Sequence, residues 1–146
     1  AFLIIDDLFG DEEEHEYILH WLVGDLELTP NASGALITLG EDRLLLRVGC
    51  TQEAAGTWVK GDENLRRGWQ SLYYGEMLPA WSFQMSARTE GPVRFFTFLQ
   101  PVSGHQVPRS SFPDEVEEIM KAWGLGQLGP IGGAFPGDHR AFSGLE

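Results

Sequence analysis

Apolar and polar residues alternate with a period of two along most of the first hundred positions, the spacing of half-buried strands. Phe2–Asp7 is an apolar run that ends in acids, and Leu8-Phe9-Gly10-Asp11 reads as a turn. From His15 to Val23 one face carries His15, Tyr17, Leu19, Trp21 and Val23, and the other Glu16, Ile18, His20 and Leu22. Both faces are partly apolar, which predicts a strand in the interior of a sheet rather than at its edge. Ala35–Leu39 and Arg43–Val48 flank Gly40-Glu41-Asp42 as the arms of a hairpin, with Leu44, Leu46 and Val48 on one face. The alternation is clearest where Trp81, Phe83, Met85 and Ala87 face one way and Ser82, Gln84, Ser86 and Arg88 the other, a sheet with one wet face. Thr89-Glu90-Gly91-Pro92 then turns into Val93–Gln100, which is apolar on both faces.

The character changes after Pro101. Ser111 is a helix cap, Pro113 and Asp114 suit a first turn, and Val116, Ile119, Met120 and Trp123 form one helical stripe that Gly124 ends. The stripe predicts a helix over about 112–123 docked on the rest of the fold. Residues 124–146 hold seven glycines and two prolines, the composition of a flexible tail. The expected architecture is therefore an all-β antiparallel β-sandwich over 1–103, followed by an extension over 104–146 with one short C-terminal helix and a Gly-rich tail.

Charge narrows the partners. The net charge is −12, distributed as −11 over residues 1–42, +2 over 43–94 and −3 over 95–146. The first 42 residues hold eleven acids and no Lys or Arg, a poor surface for nucleic acid or for a polyanion gripped along its whole length. No run reaches the roughly 18 apolar residues that span a bilayer, so no membrane partner is expected. The single cysteine, Cys50, forms no internal disulfide or cysteine cage and reads as a small buried side chain.

Chemistry-bearing residues concentrate in 57–76, within the one third of the chain that is not acidic. Lys60, Arg66, Arg67, Trp69, Tyr73 and Tyr74 combine cations that clasp carboxylates or sulfates with aromatic faces that stack on sugar rings. Three readings stand open. Trp69 and Tyr73 pack the core while Arg66 and Arg67 pair with Asp62 and Glu63; or the segment contacts another domain; or it binds sugar directly. His15 and His20, five apart, fall on opposite faces of a strand and do not chelate one ion. No phosphate loop, nucleophile elbow or carboxylate pair with glycosidase spacing is present, so no catalytic residue, metal or cofactor is assigned.

Three stretches together carry a family resemblance. They are Phe2-Leu3-Ile4-Ile5-Asp6-Asp7-Leu8-Phe9-Gly10 with His15 and His20-Trp21-Leu22; Gly68-Trp69-Gln70-Ser71-Leu72-Tyr73-Tyr74-Gly75-Glu76; and Val93-Arg94-Phe95-Phe96-Thr97-Phe98-Leu99-Gln100-Pro101. Their order resembles the C-terminal part of heparinase II/III-like polysaccharide lyases, over about residues 2–101. The resemblance implies an accessory β-sandwich packed against an N-terminal α-helical toroid of the same parent chain, in a periplasmic or extracellular enzyme that cleaves uronic-acid-containing polysaccharide by β-elimination. It implies that a base removes the C5 proton, a second group neutralises the carboxylate, and an acid protonates the leaving oxygen. The family's His-x-His segment with a downstream Asp has no counterpart here. The chain opens mid-strand without Met, so it is expected to be cut from a longer protein and to be inactive alone. The rival expectations are an independent carbohydrate-binding module and a non-catalytic interaction sandwich.

Overall fold

A computed structural model describes residues 1–102, 118–119 and 121–122. The described chain is an antiparallel β-sandwich. Its strands are β1 (Phe2–Leu8), β2 (Glu14–Gly24), β3 (Glu27–Asn31), β4 (Gly34–Leu39), β5 (Asp42–Cys50), β6 (Ala54–Lys60), β7 (Trp69–Gln70), β8 (Leu78–Pro79), β9 (Trp81–Glu90) and β10 (Val93–Val102). One sheet has the order β1-β10-β5-β4-β3, the second β2-β9-β6, and β7 and β8 pair as a small ribbon of their own. Glu118–Ile119 and Lys121–Ala122 are helical, inside the span expected for the C-terminal helix. The remainder of that helix and the Gly-rich tail lie outside the described residues.

The alternation of apolar residues sets the core. Ile37, Leu46, Val48, Cys50, Val93 and Phe95 of the larger sheet meet Phe83, Met85 and Ala87 of the smaller one, with Tyr17, Leu19, Trp21, Val23 and Trp58 packed at its margin. Two indoles fasten the layers. The Trp21 N–H donates to Thr97 Oγ1 at 3.0 Å, so β2 crosses over β10. The Trp58 N–H is shared between the Asn31 and Gly34 carbonyls at 3.1 and 3.0 Å, which ties β6 to the β3–β4 turn. That closeness leaves no room for a side chain at Gly56, whose Cβ would collide with the Ala32 carbonyl oxygen.

The hairpin expected around Gly40 is β4–β5, closed at the Leu39–Asp42 pair. β10 is apolar on both faces because both are covered. Phe96 and Phe98 lie on the outer side with Leu3 and Ile5, and Ile119 of the helical segment packs on them. The Arg47 guanidinium sits 5.1 Å above the Phe98 ring on the same side.

Two expectations need correction. β2 carries apolar residues on both faces but, among the described residues, is an edge strand of its sheet, paired with β9 alone. Its second face is not covered either: Ile18 and Leu22 stand 46% and 45% exposed, so their apolar character reflects the strand preference of such side chains and not burial. The face of β9 expected to be wet is so only in part. Arg88 is exposed and Gln84 half-buried, but Ser82 is fully buried and shares a 2.7 Å hydrogen bond with His20 Nε2.

Candidate functional site

The chain leaves the small sheet after Lys60 and returns to it at Trp81, and the intervening residues form two linked ribbons. The first is a tight loop. Asp62 and Arg67 exchange backbone hydrogen bonds at 3.0 and 3.2 Å, and the Asp62 carboxylate accepts the Leu65 N–H at 2.8 Å. Gly68 then joins this loop to the second ribbon, because its carbonyl accepts both the Gly61 and the Ala80 N–H at 2.8 Å. From that anchor β7 and β8 carry an arm whose tip spans residues 71–77. Ser71 Oγ donates to the Tyr73 carbonyl at 2.8 Å, and the Glu76 N–H reaches the same carbonyl at 3.2 Å.

The six residues singled out above separate into two groups. Tyr73 and Tyr74 stand in solvent at the arm's tip, 72% and 107% exposed, beside Leu72, Met77 and Leu78, which are exposed too. Tyr73 does not pack the core. Trp69 belongs to none of the core clusters either; it is half-buried at the arm's base, with its indole N–H directed at the Asp62 carbonyl at 3.4 Å. Arg66 is exposed at the loop tip with φ 50, in the left-handed region that residues other than glycine seldom adopt.

Arg67 and Lys60 turn back toward the small sheet. The Arg67 guanidinium lies across the outer face, donating to Gln84 Oε1 and, at 3.0 Å, to Thr57 Oγ1, while its buried Nε has no hydrogen-bond partner. Pairing of Arg67 with the Asp62 carboxylate is therefore not what holds it; the Asp62–Arg67 link is between backbones. Its acceptors are neutral, so its charge persists at the surface. That charge, after the effect of burial, helps hold His20 below the usual imidazole range. Lys60 is committed elsewhere, to Asp25 at 2.6 Å and over the Trp81 ring at 5.4 Å.

His20, Ser82, Gln84 and Thr57 are the site residues that sequence reasoning did not connect to Arg67. The alternation had placed His20, Ser82 and Gln84 on outward faces, but nothing in the spacing brings residue 67 across strands β6 and β9. His15 and His20 do occupy opposite faces: His15 Nε2 meets Asp11 at 2.6 Å, on the other side from Ser82. Among the described residues no group of three or more His, Cys, Asp or Glu could hold a metal ion, and no helix is long and apolar enough to cross a membrane. Burial pushes the Cys50 thiol up, away from reactivity. A shallow cleft of about 260 Å³ opens between Glu16, Glu53, Ser86 and Arg88, and none of the six residues lines it.

No family model matches the chain, and neither a curated protein nor a solved structure is significantly similar to it. The one hydroxyl–imidazole pair described above, Ser82 with His20, has its serine fully buried and closed to a substrate. The arrangement offers instead one fixed cation on a polar sheet face and an apolar, aromatic arm that projects from the sandwich.

Proposed function

We propose that this chain is the accessory C-terminal β-sandwich domain of a heparinase II/III-like polysaccharide lyase, periplasmic or extracellular, with catalysis carried by an N-terminal α-helical toroid of the same parent chain. The arm between Gly68 and Ala80 carries the reading. Leu72, Tyr73, Tyr74, Met77 and Leu78 expose more apolar and aromatic surface than a solvated loop needs, in the composition of protein interface cores. The arm also contains the Gly68–Glu76 motif on which much of the family resemblance rests. In this reading it docks on the toroid, and the outer face with Arg67 forms one wall of the cleft for an acidic polysaccharide. A guanidinium held by neutral groups keeps its attraction for a uronate carboxylate.

The test is the coding sequence ahead of Ala1 together with the activity of the whole product. A few hundred residues of helical periodicity with a His-x-His segment, and a protein that generates the unsaturated-uronate absorbance on a uronic-acid polymer, support the reading. A start codon or an unrelated linker directly before Ala1 removes it. The exposed Tyr74 ring favours one second reading, an independent carbohydrate-binding module. That reading requires Tyr74→Ala to weaken polysaccharide retention of this chain by itself.

A further inference from the structure

On the outer face of the small sheet one row of residues crosses all three strands: His20 of β2, Gln84 of β9 and Thr57 of β6 are register partners. Arg67 lies along that row. Its guanidinium donates to Gln84 Oε1, to Thr57 Oγ1 at 3.0 Å and to the Thr57 carbonyl at 3.4 Å. All three acceptors are neutral, and Arg67 makes no ion pair among the described residues. A guanidinium has five N–H donors and a charge that no ordinary pH removes. These hydrogen bonds therefore fix Arg67 in place without neutralising it.

His20 is the next member of the row, one strand spacing of about 4.8 Å from Gln84. It is exposed to solvent, and its Nε2 meets Ser82 Oγ at 2.7 Å, which holds the ring on this face. Burial, and then the Arg67 charge, keep it below the usual imidazole range. The other charged groups of the surrounding elements are distant or engaged. Glu16 on β2 and Arg88 on β9 stand four strand positions from His20 and Gln84, about 13 Å, beyond the screening length of about 8 Å at physiological salt. Lys60 at the end of β6 is bound to Asp25, and the Asp62 carboxylate accepts the Leu65 N–H. Glu63 and Arg66 are exposed in the loop. Arg67 is the one charged group that acts on His20.

Two cations side by side repel, and an anion seated across both removes that repulsion. Anion binding and protonation of His20 therefore favour each other, by the same factor in each direction. At neutral pH the imidazole is uncharged and Arg67 acts alone. As the pH falls His20 takes up a proton, and the row presents a second charged donor to the same anion.

We propose that Arg67 and His20 together form a binding site for one carboxylate or sulfate group, gripped more tightly when His20 is protonated. A sugar as the carrier of that group rests on the polysaccharide-cleft reading; the anion site and its proton linkage do not. NMR titration of this chain with trigalacturonate, inorganic sulfate and a neutral galactose trisaccharide tests it, at about pH 7.5 and about pH 5.5, where galacturonate carboxylates stay ionised. Trigalacturonate should shift the Gln84 and Arg67 side-chain signals and bind about threefold or more tighter at the lower pH. The His20 ring should titrate at higher pH when the ligand is bound. Arg67→Gln should abolish binding, and His20→Gln should flatten the pH dependence, whereas His15→Gln, on the opposite face, should keep it. Should Arg67→Gln fail to fold, His20→Gln decides. No binding of either anion, equal affinity at the two pH values, or a gain that survives His20→Gln overturns the proposal. Sulfate that binds as tightly as trigalacturonate, with the same pH dependence, supports the anion site and removes the sugar, so the failure of the polysaccharide reading is distinguishable from failure of the site.

Discussion

At the scale of single residues, the pair that most rewards attention is Asp7 and Arg94, register partners on β1 and β10. The guanidinium grips both carboxylate oxygens, with Nη2 donating to Oδ2 at 2.7 Å and Nε to Oδ1. The Arg94 side chain is 8% exposed and that of Asp7 33%, so the pair is only partly screened. Hydrogen bonding from Arg94, aided by its charge and opposed by burial, holds the Asp7 carboxyl below its usual range. A carboxyl depressed in the folded state adds stability above its unfolded pKa and loses it as pH falls through the folded value. Asp7→Asn is therefore expected to cost about 2 kcal/mol at neutral pH, since it leaves a buried cation with a weakened partner. The difference between the two proteins should shrink steadily as the pH is lowered below the ordinary carboxylate range. Urea denaturation of both across that range checks it, and a gap that persists in acid would mean that packing, not charge, is responsible.

At the scale of elements, Gly68 decides whether the arm is held. Its φ of 82 lies in the left-handed region, and a Cβ there would stand 2.7 Å from the Gly61 nitrogen and 2.9 Å from the Ala80 carbonyl oxygen. Gly75 has nearly the same φ, 83, but its Cβ would meet nothing within 4 Å. Backbone strain alone costs about 1–2 kcal/mol, so Gly75→Ala should lose about that much and Gly68→Ala clearly more. Limited proteolysis should then cut Gly68→Ala within residues 61–80 while β9 and β10 stay protected; equal behaviour of the two variants would deny Gly68 its anchoring role. The arm shows how far the sequence could be read. The inward faces of β9 and of β5, the second arm of the β4–β5 hairpin, were legible from large side chains two apart, whereas β4 was legible only as a strand. β3 was not, because Pro30 and Glu27 weaken its pattern, nor was β6, whose Ala54-Ala55-Gly56 offers little to alternate. The arm was legible as an aromatic and basic segment, but the direction of its tyrosines was not. Tyr73 carries a large aromatic ring of the kind that fills cores, yet it stands in solvent on an arm anchored at Gly68 by two hydrogen bonds, a tertiary contact that spacing does not show. Arg67 escaped for a similar reason: its partners Thr57 and Gln84 lie on two other strands.

At the scale of the molecule, the uneven charge has an energetic consequence that single ion pairs do not cancel. The eleven acids of residues 1–42 fold mainly into β1, β2 and the turn between them, on one flank of the sandwich. Cations reach this region from Arg94 to Asp7 and from Lys60 to Asp25, while His15 meets Asp11. The second of these pairs is largely exposed and contributes little, about 0–1 kcal/mol. With a net charge of −12, repulsion among the remaining carboxylates opposes the compact state. Raising sodium chloride from about 10 mM to about 150 mM shortens the screening length from about 30 Å to about 8 Å, which is less than the spread of this flank. The thermal midpoint should therefore rise over that interval. Asp7→Asn should rise in parallel, because its missing partner is buried and weakly screened whereas the repulsion is shared by both proteins. A midpoint that falls with salt would mean that attractive pairs outweigh the acidic flank.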